Sequence, residues 1–503
     1  MKSHLPRLRR PIAAVLAALV AVGPASAQLP TLGDSGDMTT SQERRLGDRV
    51  AREMYRDLDY VDDPVIAEYV QGLWQPLLDA ARARGELSAE MDQRYAWQVL
   101  LGKDRMINAF AVPGGWLGLQ LGLINVTTSR DEIASVLAHE LSHVTQRHIS
   151  RIMAQESRQA PLVLVGMLLG MLAMSRNPEA GNAVITSTQA MSAQSGLNFS
   201  RDMEREADRI GYGVAVQAGF DPRSFASMFE KLQQASRHTD NASFPYLRTH
   251  PLNTERIADM QSRAQFAAGP ATARATLEHA LVVARSRAVS APGVDEVRVL
   301  LTEAGTLQPS TPPTRRAAIL YAGALAAARL RDFERADALV QQLRAMPQVQ
   351  ADPAGTRFAR LLATEVALLA GQPARAQAAL GDVAGTNSRA ELLLWAQVRT
   401  ATGGASDVAQ RLQSWVALNK RDATAWQMLS AAYGVQGLQV RAVRADAEAR
   451  AAQMDFSAAL DRFRAAQDLA RRGGPGADYI ESSIIDSRTR EVQSLLREQA
   501  LER

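Results

Sequence analysis

The pentapeptide His139-Glu140-Leu141-Ser142-His143 sits inside a run, Ser129–Gln155, whose apolar residues recur at helical spacing. Two histidines four residues apart share one helix face and can grip one metal ion through neutral imidazoles, while the glutamate after the first projects to the same open side. Zinc is the ion this donor set predicts, because it accepts imidazole and carboxylate in four-coordinate geometry and leaves a position for water. The chain of 503 residues contains no cysteine, so histidine and carboxylate must hold any metal, and a thiol nucleophile or a disulfide framework is excluded.

Two histidines need a third ligand. A third histidine would follow a glycine in one zinc-peptidase pattern, but Val144-Thr145-Gln146-Arg147 has no glycine and His148 arrives one residue early. His148 is therefore assigned to a position beside a ligand or on the surface. The alternative ligand is an acid from a later helix. Met203-Glu204-Arg205-Glu206-Ala207-Asp208-Arg209-Ile210-Gly211 places Glu204 and Asp208 four apart on one face, so Glu204 can bind the metal while Asp208 accepts the outer N–H of a ligand histidine. His238 and His279 lack any such context and are assigned to the surface.

On the N-terminal side of the motif, Arg44–Leu58 and Pro64–Arg84 read as helices with acidic or proline starts. Tyr95–Leu101, Ile107–Val112 and Trp116–Ile124 read as short strands parted by Gly and Pro turns, which predicts a small sheet. On the C-terminal side, Pro161–Met174 is apolar and helix-like but too short to span a bilayer; a lid over the site, contact with a membrane surface and plain core all fit it. Thr306-Leu307-Gln308-Pro309-Ser310-Thr311-Pro312-Pro313-Thr314 reads as a linker, and beyond it the chain is nearly all Ala/Leu/Arg helix. There, Ala336, Ala376, Ala409 and Ala442 each follow a small turn at intervals of 40, 33 and 33 residues. A period near 34 is that of tetratricopeptide helix pairs, and Trp426, Leu429, Tyr433, Ala442 and Ala449 occupy the spacing expected of one unit.

The first 27 residues have a basic start, the apolar stretch Ile12–Val22 and Ala25-Ser26-Ala27, the pattern of a secretory signal cleaved after Ala27. That stretch also explains the charge. Lys+Arg total 57 against 53 Asp+Glu, and Lys2, Arg7, Arg9 and Arg10 supply the whole excess. Without a clustered basic face, nucleic acid is not an expected partner.

The quoted residues together resemble a known family, the gluzincin peptidases that include the CAAX prenyl endoprotease and the heat-shock membrane protease. The resemblance rests on Asn108-Ala109-Phe110-Ala111-Val112-Pro113-Gly114-Gly115, the stretch His139 to His148, Glu204 to Asp208, and Thr249-His250-Pro251 followed by Arg256, and it covers roughly residues 40–265. Within the family it is similar to exported members that join a cleaved signal to a repeat tail. The resemblance implies a single zinc ion held by His139, His143 and Glu204, with Glu140 as general base for peptide hydrolysis and Asp208 behind a ligand. It implies that Asn108, Ala109 and Phe110 belong to an edge strand that pairs with an extended substrate. It also implies that His250 either aids the transition state or plugs the metal, and that Arg256 stabilises the oxyanion.

The expected architecture is mostly α: an α+β zincin-type metallopeptidase domain with a small sheet, followed by a tetratricopeptide-repeat solenoid. The expected divisions are a signal at 1–27, a flexible lead-in at 28–42, the peptidase at 43–266, a helical connector with the Pro/Thr linker at 267–314 and the repeats at 315–503. The expected function is a periplasmic zinc endopeptidase acting on unfolded or misassembled exported proteins, outer-membrane β-barrel precursors among them. Its repeats would engage the barrel assembly machinery, and peripheral membrane contact is expected if Pro161–Met174 reaches a lipid surface. The rivals are a repeat-based chaperone or adaptor with a mostly closed site, and a general oligopeptidase.

Overall fold

Local sequence signals set most of the element starts in the computed structural model, which describes residues 38–155, 201–237, 245–266, 275–383 and 385–501. The signal segment, the Pro161–Met174 run and His238 lie outside these residues. Helix α1 (Thr40–Arg56) begins with a capping box in which Thr39 and Gln42 satisfy each other's backbone N–H groups, so the helix takes in the last residues assigned to the lead-in. Asp63 caps α2 (Pro64–Ala83), with Pro64 in the first turn, and Ser88 caps the short α3 (Ala89–Arg94).

Three strands follow: β1 (Gln98–Gly102), β2 (Ala109–Val112) and β3 (Trp116–Gln120). The order is β1-β3-β2, with β1 parallel and β2 antiparallel to β3, so β2 forms one edge of this sheet. The β2–β3 turn needs Gly114 and Gly115, both at positive φ; a Cβ on Gly114 would lie 2.6 Å from the Arg44 Cα. The apolar run expected to continue as strand to Ile124 instead becomes helix α4 (Leu121–Val126). Gly122 presses against the backbone of Arg105 and donates its N–H to Asp104, which turns the chain out of the sheet; a short apolar run does not reveal that by periodicity.

Helix α5 (Arg130–Thr145) carries the pentapeptide, and Ser129 caps it. Residues 132–145 are all buried, so this helix has no solvent face. It packs against α2, β2, α7 (Arg201–Gln217) and α8 (Arg223–Arg237). The helical run expected to continue to Gln155 breaks at Gln146 and Arg147, and α6 (His148–Gln155) starts afresh. Arg147 adopts the left-handed conformation at φ 54°, and its guanidinium is tied to Glu43 at 2.9 Å and to the Met38 carbonyl. After α9 (Pro245–Thr249) and α10 (Thr254–Gln265), α11 (Leu277–Val289) and α12 (Val294–Gly305) lead into the C-terminal region.

That region is helical throughout its described residues. It comprises α13 (Pro313–Arg329), α14 (Phe333–Arg344), α15 (Pro347–Ala351), α16 (Pro353–Leu369), α17 (Pro373–Leu380), α18 (Arg389–Ala401), α19 (Ala405–Leu418), α20 (Ala423–Val435), α21 (Gln439–Ala452), α22 (Phe456–Arg471) and α23 (Tyr479–Leu501). Helices α13/α14, α16/α17, α18/α19, α20/α21 and α22/α23 pack on each other, and Ala336, Ala376, Ala409 and Ala442 are all buried. The Pro/Thr segment at 306–314 lies largely exposed, but the helices it joins, α12 and α13, share one core with members from Val65 to Val398. Buried ions reinforce the junction. Arg285 donates to Asp63 at 2.7 Å and to Glu365 at 2.8 Å, while Arg389 bridges Asp62 at 2.6 Å and Asp422 at 2.8 Å. Met454, in the turn before α22, packs with Phe110, Val112 and Trp116 on the back of the sheet.

His279, assigned to the surface, lies in this junction with 2% of its area exposed. Its Nε2 is 3.3 Å from the Thr127 hydroxyl, which itself donates to the Ile124 carbonyl, so the ring donates there and accepts from Tyr69 Oη at 2.8 Å. The imidazole is therefore neutral, and burial pushes its pKa down to about 4. An isolated histidine in a helical stretch gives no sequence signal of that burial.

Candidate active site

His139 and His143 lie one turn apart on α5 with their Nε2 atoms 3.0 Å apart. Helix α7 brings Glu204 to them, with Oε1 3.4 Å from His143 Nε2 and Oε2 3.5 Å from His139 Nε2. The approach depends on Gly211 at the helix crossing, where a Cβ would sit 2.9 Å from the Ala138 carbonyl oxygen. His250, just after α9, places Nδ1 2.9 Å from Glu204 Oε1 and 3.4 Å from His139 Nε2. The four donor atoms lie within 4.8 Å of one another and all four residues are buried.

These spacings fit a metal. Ligands about 2.0–2.1 Å from a tetrahedral ion stand about 3.4 Å from each other, and the separations here scatter around that edge length. The donor set, imidazoles plus a carboxylate, suits a divalent transition ion. The outer nitrogen of His139 lies 3.0 Å from Asp208 Oδ1, which is the orientation a ligand histidine needs.

Arg256, expected at the oxyanion, faces the two acids. Its guanidinium grips both Asp208 oxygens at 2.6 and 2.8 Å, reaches Glu204 Oε2 at 2.6 Å and the Pro251 carbonyl at 2.9 Å, and stacks over Phe229. These bonds hold the two carboxylates in place. His148 is buried, its Nδ1 2.8 Å from His143 Nδ1.

Two carboxylates in this site are pushed in opposite directions. Burial raises the Glu204 pKa, but His250, His139 and His143 overcome it and hold the carboxyl well below its usual range, as a ligand requires. Burial also raises Glu140, and here it prevails over His250, His139 and the Ala111 amide. Neither Glu140 oxygen has a hydrogen-bond partner, and His250 Nε2 is 3.5 Å from one of them. A buried, unpartnered carboxylate beside a ligand cluster is suited to accept a proton.

The expected substrate-binding residues divide. Asn108 accepts from Gln120 N–H, which places the pairs 108/120, 110/118 and 112/116 inside the ladder. Asn108 and Phe110 therefore spend their backbone groups within the sheet, and the Phe110 ring lies over Gly118 on the face away from α5. Ala109 and Ala111 turn their backbone groups to the open edge, and Ala111 N–H faces Glu140. Sequence reading missed Tyr246, which stacks on His250 at 4.8 Å between ring centroids. The only sequence trace of Tyr246 is its four-residue spacing to His250.

An HExxH helix, a buried glutamate brought to it by a second helix and an unpartnered glutamate beside them are the arrangement of a gluzincin-type metallopeptidase, and the protein is an enzyme of that class. Residues 75–264 match Peptidase family M48. The β-barrel assembly-enhancing protease of Yersinia pestis is 29% identical over 500 residues, 96% of this chain and 98% of that protein. The β-barrel assembly-enhancing protease of Escherichia coli K12 is 35% identical over 267 residues, 51% of this chain and 53% of its own length. The mitochondrial metalloendopeptidase OMA1 of Arabidopsis thaliana is 33% identical over 161 residues, 32% of this chain and 30% of that protein. Among the described residues no helix is long and apolar enough to cross a membrane.

Proposed function

We propose that this protein is a periplasmic zinc endopeptidase that cleaves unfolded or misassembled exported chains, stalled outer-membrane β-barrel precursors among them, with its C-terminal helix pairs acting as tetratricopeptide repeats that receive substrate or assembly machinery. The observation that carries the reading is the buried His139–His143–Glu204–His250 cluster with the unpartnered Glu140 beside the open edge of β2. The N-terminal signal pattern and the names of the Yersinia and Escherichia relatives support the compartment and the substrate class.

His139, His143 and Glu204 would hold the metal, which when bound polarises the scissile carbonyl and acidifies water. An extended substrate strand pairs with the outward backbone groups of Ala109 and Ala111, a mode that reads main chain rather than sequence and so suits unfolded chains. Glu140 takes the proton of the attacking water at one carboxylate oxygen and returns it to the departing amine. Asp208 and Arg256 keep His139 and Glu204 in register. His250 stands at fourth-ligand distance from Glu204, so at rest it closes the site and must swing away for water to enter.

Glu140→Gln is expected to keep metal content unchanged while proteolysis of an unfolded model protein falls roughly 10²–10⁴-fold. Activity retained in that variant would overturn the mechanism.

A further inference from the structure

The two histidine ligands have unlike supports. His139 leans on a carboxylate, Asp208, itself clamped by Arg256. His143 leans on another imidazole: its Nδ1 is 2.8 Å from His148 Nδ1, and the rings meet edge-on with centroids 4.9 Å apart. His148 in turn places Nε2 3.2 Å from Glu206 Oε2, and Glu206 accepts from Arg151 at 2.8 Å. This contact is built, not incidental. Residues five apart on a continuous α-helix point about 140° away from each other, so His148 could not reach His143 from the same helix. The left-handed Arg147 breaks the helix between them and turns His148 back, and Glu43 and Met38 hold Arg147 there.

We infer that His148 is a positioning residue for the metal, a neutral imidazole that fixes His143 in its metal-binding tautomer. The inference rests on the metal site proposed above. His143 Nε2 faces His139 and Glu204, so it must be the bare nitrogen and Nδ1 must carry the proton. That proton needs an acceptor, which makes His148 Nδ1 bare and puts its own proton on Nε2, aimed at Glu206. Each nitrogen in the chain then has one role, and the orientation of His143 depends on it.

The test measures zinc affinity by competition with a chelator in the full chain, with circular dichroism to check that each variant folds. His148→Leu, which removes the acceptor, is expected to weaken zinc binding 10–100-fold. His148→Asn, whose amide oxygen can stand near the Nδ1 position, is expected to recover most of that loss. Unchanged affinity in His148→Leu, or a loss in His148→Asn as large as in His148→Leu, overturns the inference. His143→Ala separates the two levels: if it binds zinc normally, the metal-site reading fails; if it loses zinc while His148→Leu does not, only the role of His148 fails. Independently of any variant, the nitrogen spectrum of the zinc-loaded wild type is expected to show His148 neutral with its proton on Nε2. A proton on Nδ1 overturns the inference.

Discussion

Helices α5 and α20 are both well buried, yet they are held in opposite ways. Helix α20 buries Trp426, Leu429 and Tyr433 mainly against α18, α19 and α21, all close by in sequence, and touches a distant segment through the Thr424 hydroxyl, which donates to Asp62 at 2.5 Å. Helix α5 is covered on all sides by β2, α2, α7 and α8 and still buries Glu132, His139, Glu140 and His143. Apart from Glu140, whose oxygens accept no hydrogen bond, its polar groups face residues as far away as Asp208, Lys231 and His250. A repeat helix is thus placed mainly by local packing, whereas the catalytic helix is placed only when distant segments arrive together. Helix α20 belongs to a separate cluster that includes residues of α18, whereas the core from Val65 to Val398 joins α5 to the helices as far as α18.

The most severe way to break this contrast is to cut it. A chain ending at residue 314 strips Tyr321, Phe358, Leu361 and Leu362, each no more than 1% exposed, from the core that also holds Ile133 and Leu137 of α5. We expect that fragment to aggregate or melt without a cooperative transition; a soluble monomer with a sharp melt would make the peptidase part self-sufficient. Arg285→Met tests the junction more gently. It leaves Asp63 buried and Glu365 half-buried without their cation and is expected to destabilise the protein by roughly 3–5 kcal/mol in denaturant unfolding.

His279 gives a smaller, pH-dependent effect. Its folded pKa, about 4, lies below the unfolded value near 6.5, so the unfolded chain binds the extra proton. The stability is complete above the unfolded pKa and is lost as pH falls from there toward the folded one, about 2 kcal/mol of it by pH 5. His279→Gln should flatten that part of the pH–stability curve, and an unchanged slope would remove His279 as its source. Thr39→Ala, which deletes the α1 capping box at the edge of the domain, is expected to cost only about 1 kcal/mol, read as a small shift in denaturation midpoint.

The sequence was most legible where function and local geometry coincide. The spacing of His139, Glu140 and His143, and of Glu204 and Asp208, follows helix periodicity, so pairs on one face could be read without a structure. The small sheet was legible as three apolar runs between turns, but not its order or which residues of β2 keep free backbone groups. Ring and backbone directions depend on register, which is a pairing property of two segments. Arg256 and His148 show the same limit on single residues. Arg256 was placed near the reacting carbonyl, but two buried carboxylates claim it; His148 was placed beside a ligand or on the surface, and only the left-handed turn at Arg147 decides between them.

By itself, then, the sequence determined the chemistry available: no thiol, one helix with two imidazoles and a base, a second with paired acids, and a helical tail of small-residue turns. Covalent identity and helical period are local properties and survive without a fold. Only the tertiary structure decided that the Glu140 oxygens stay without a hydrogen-bond partner, that the tail shares the peptidase core, and that His148 turns back onto His143. Those outcomes depend on burial and on contacts between residues as distant as Glu140 and His250 or Asp63 and Arg285, where removal of water, not sequence spacing, sets the energies.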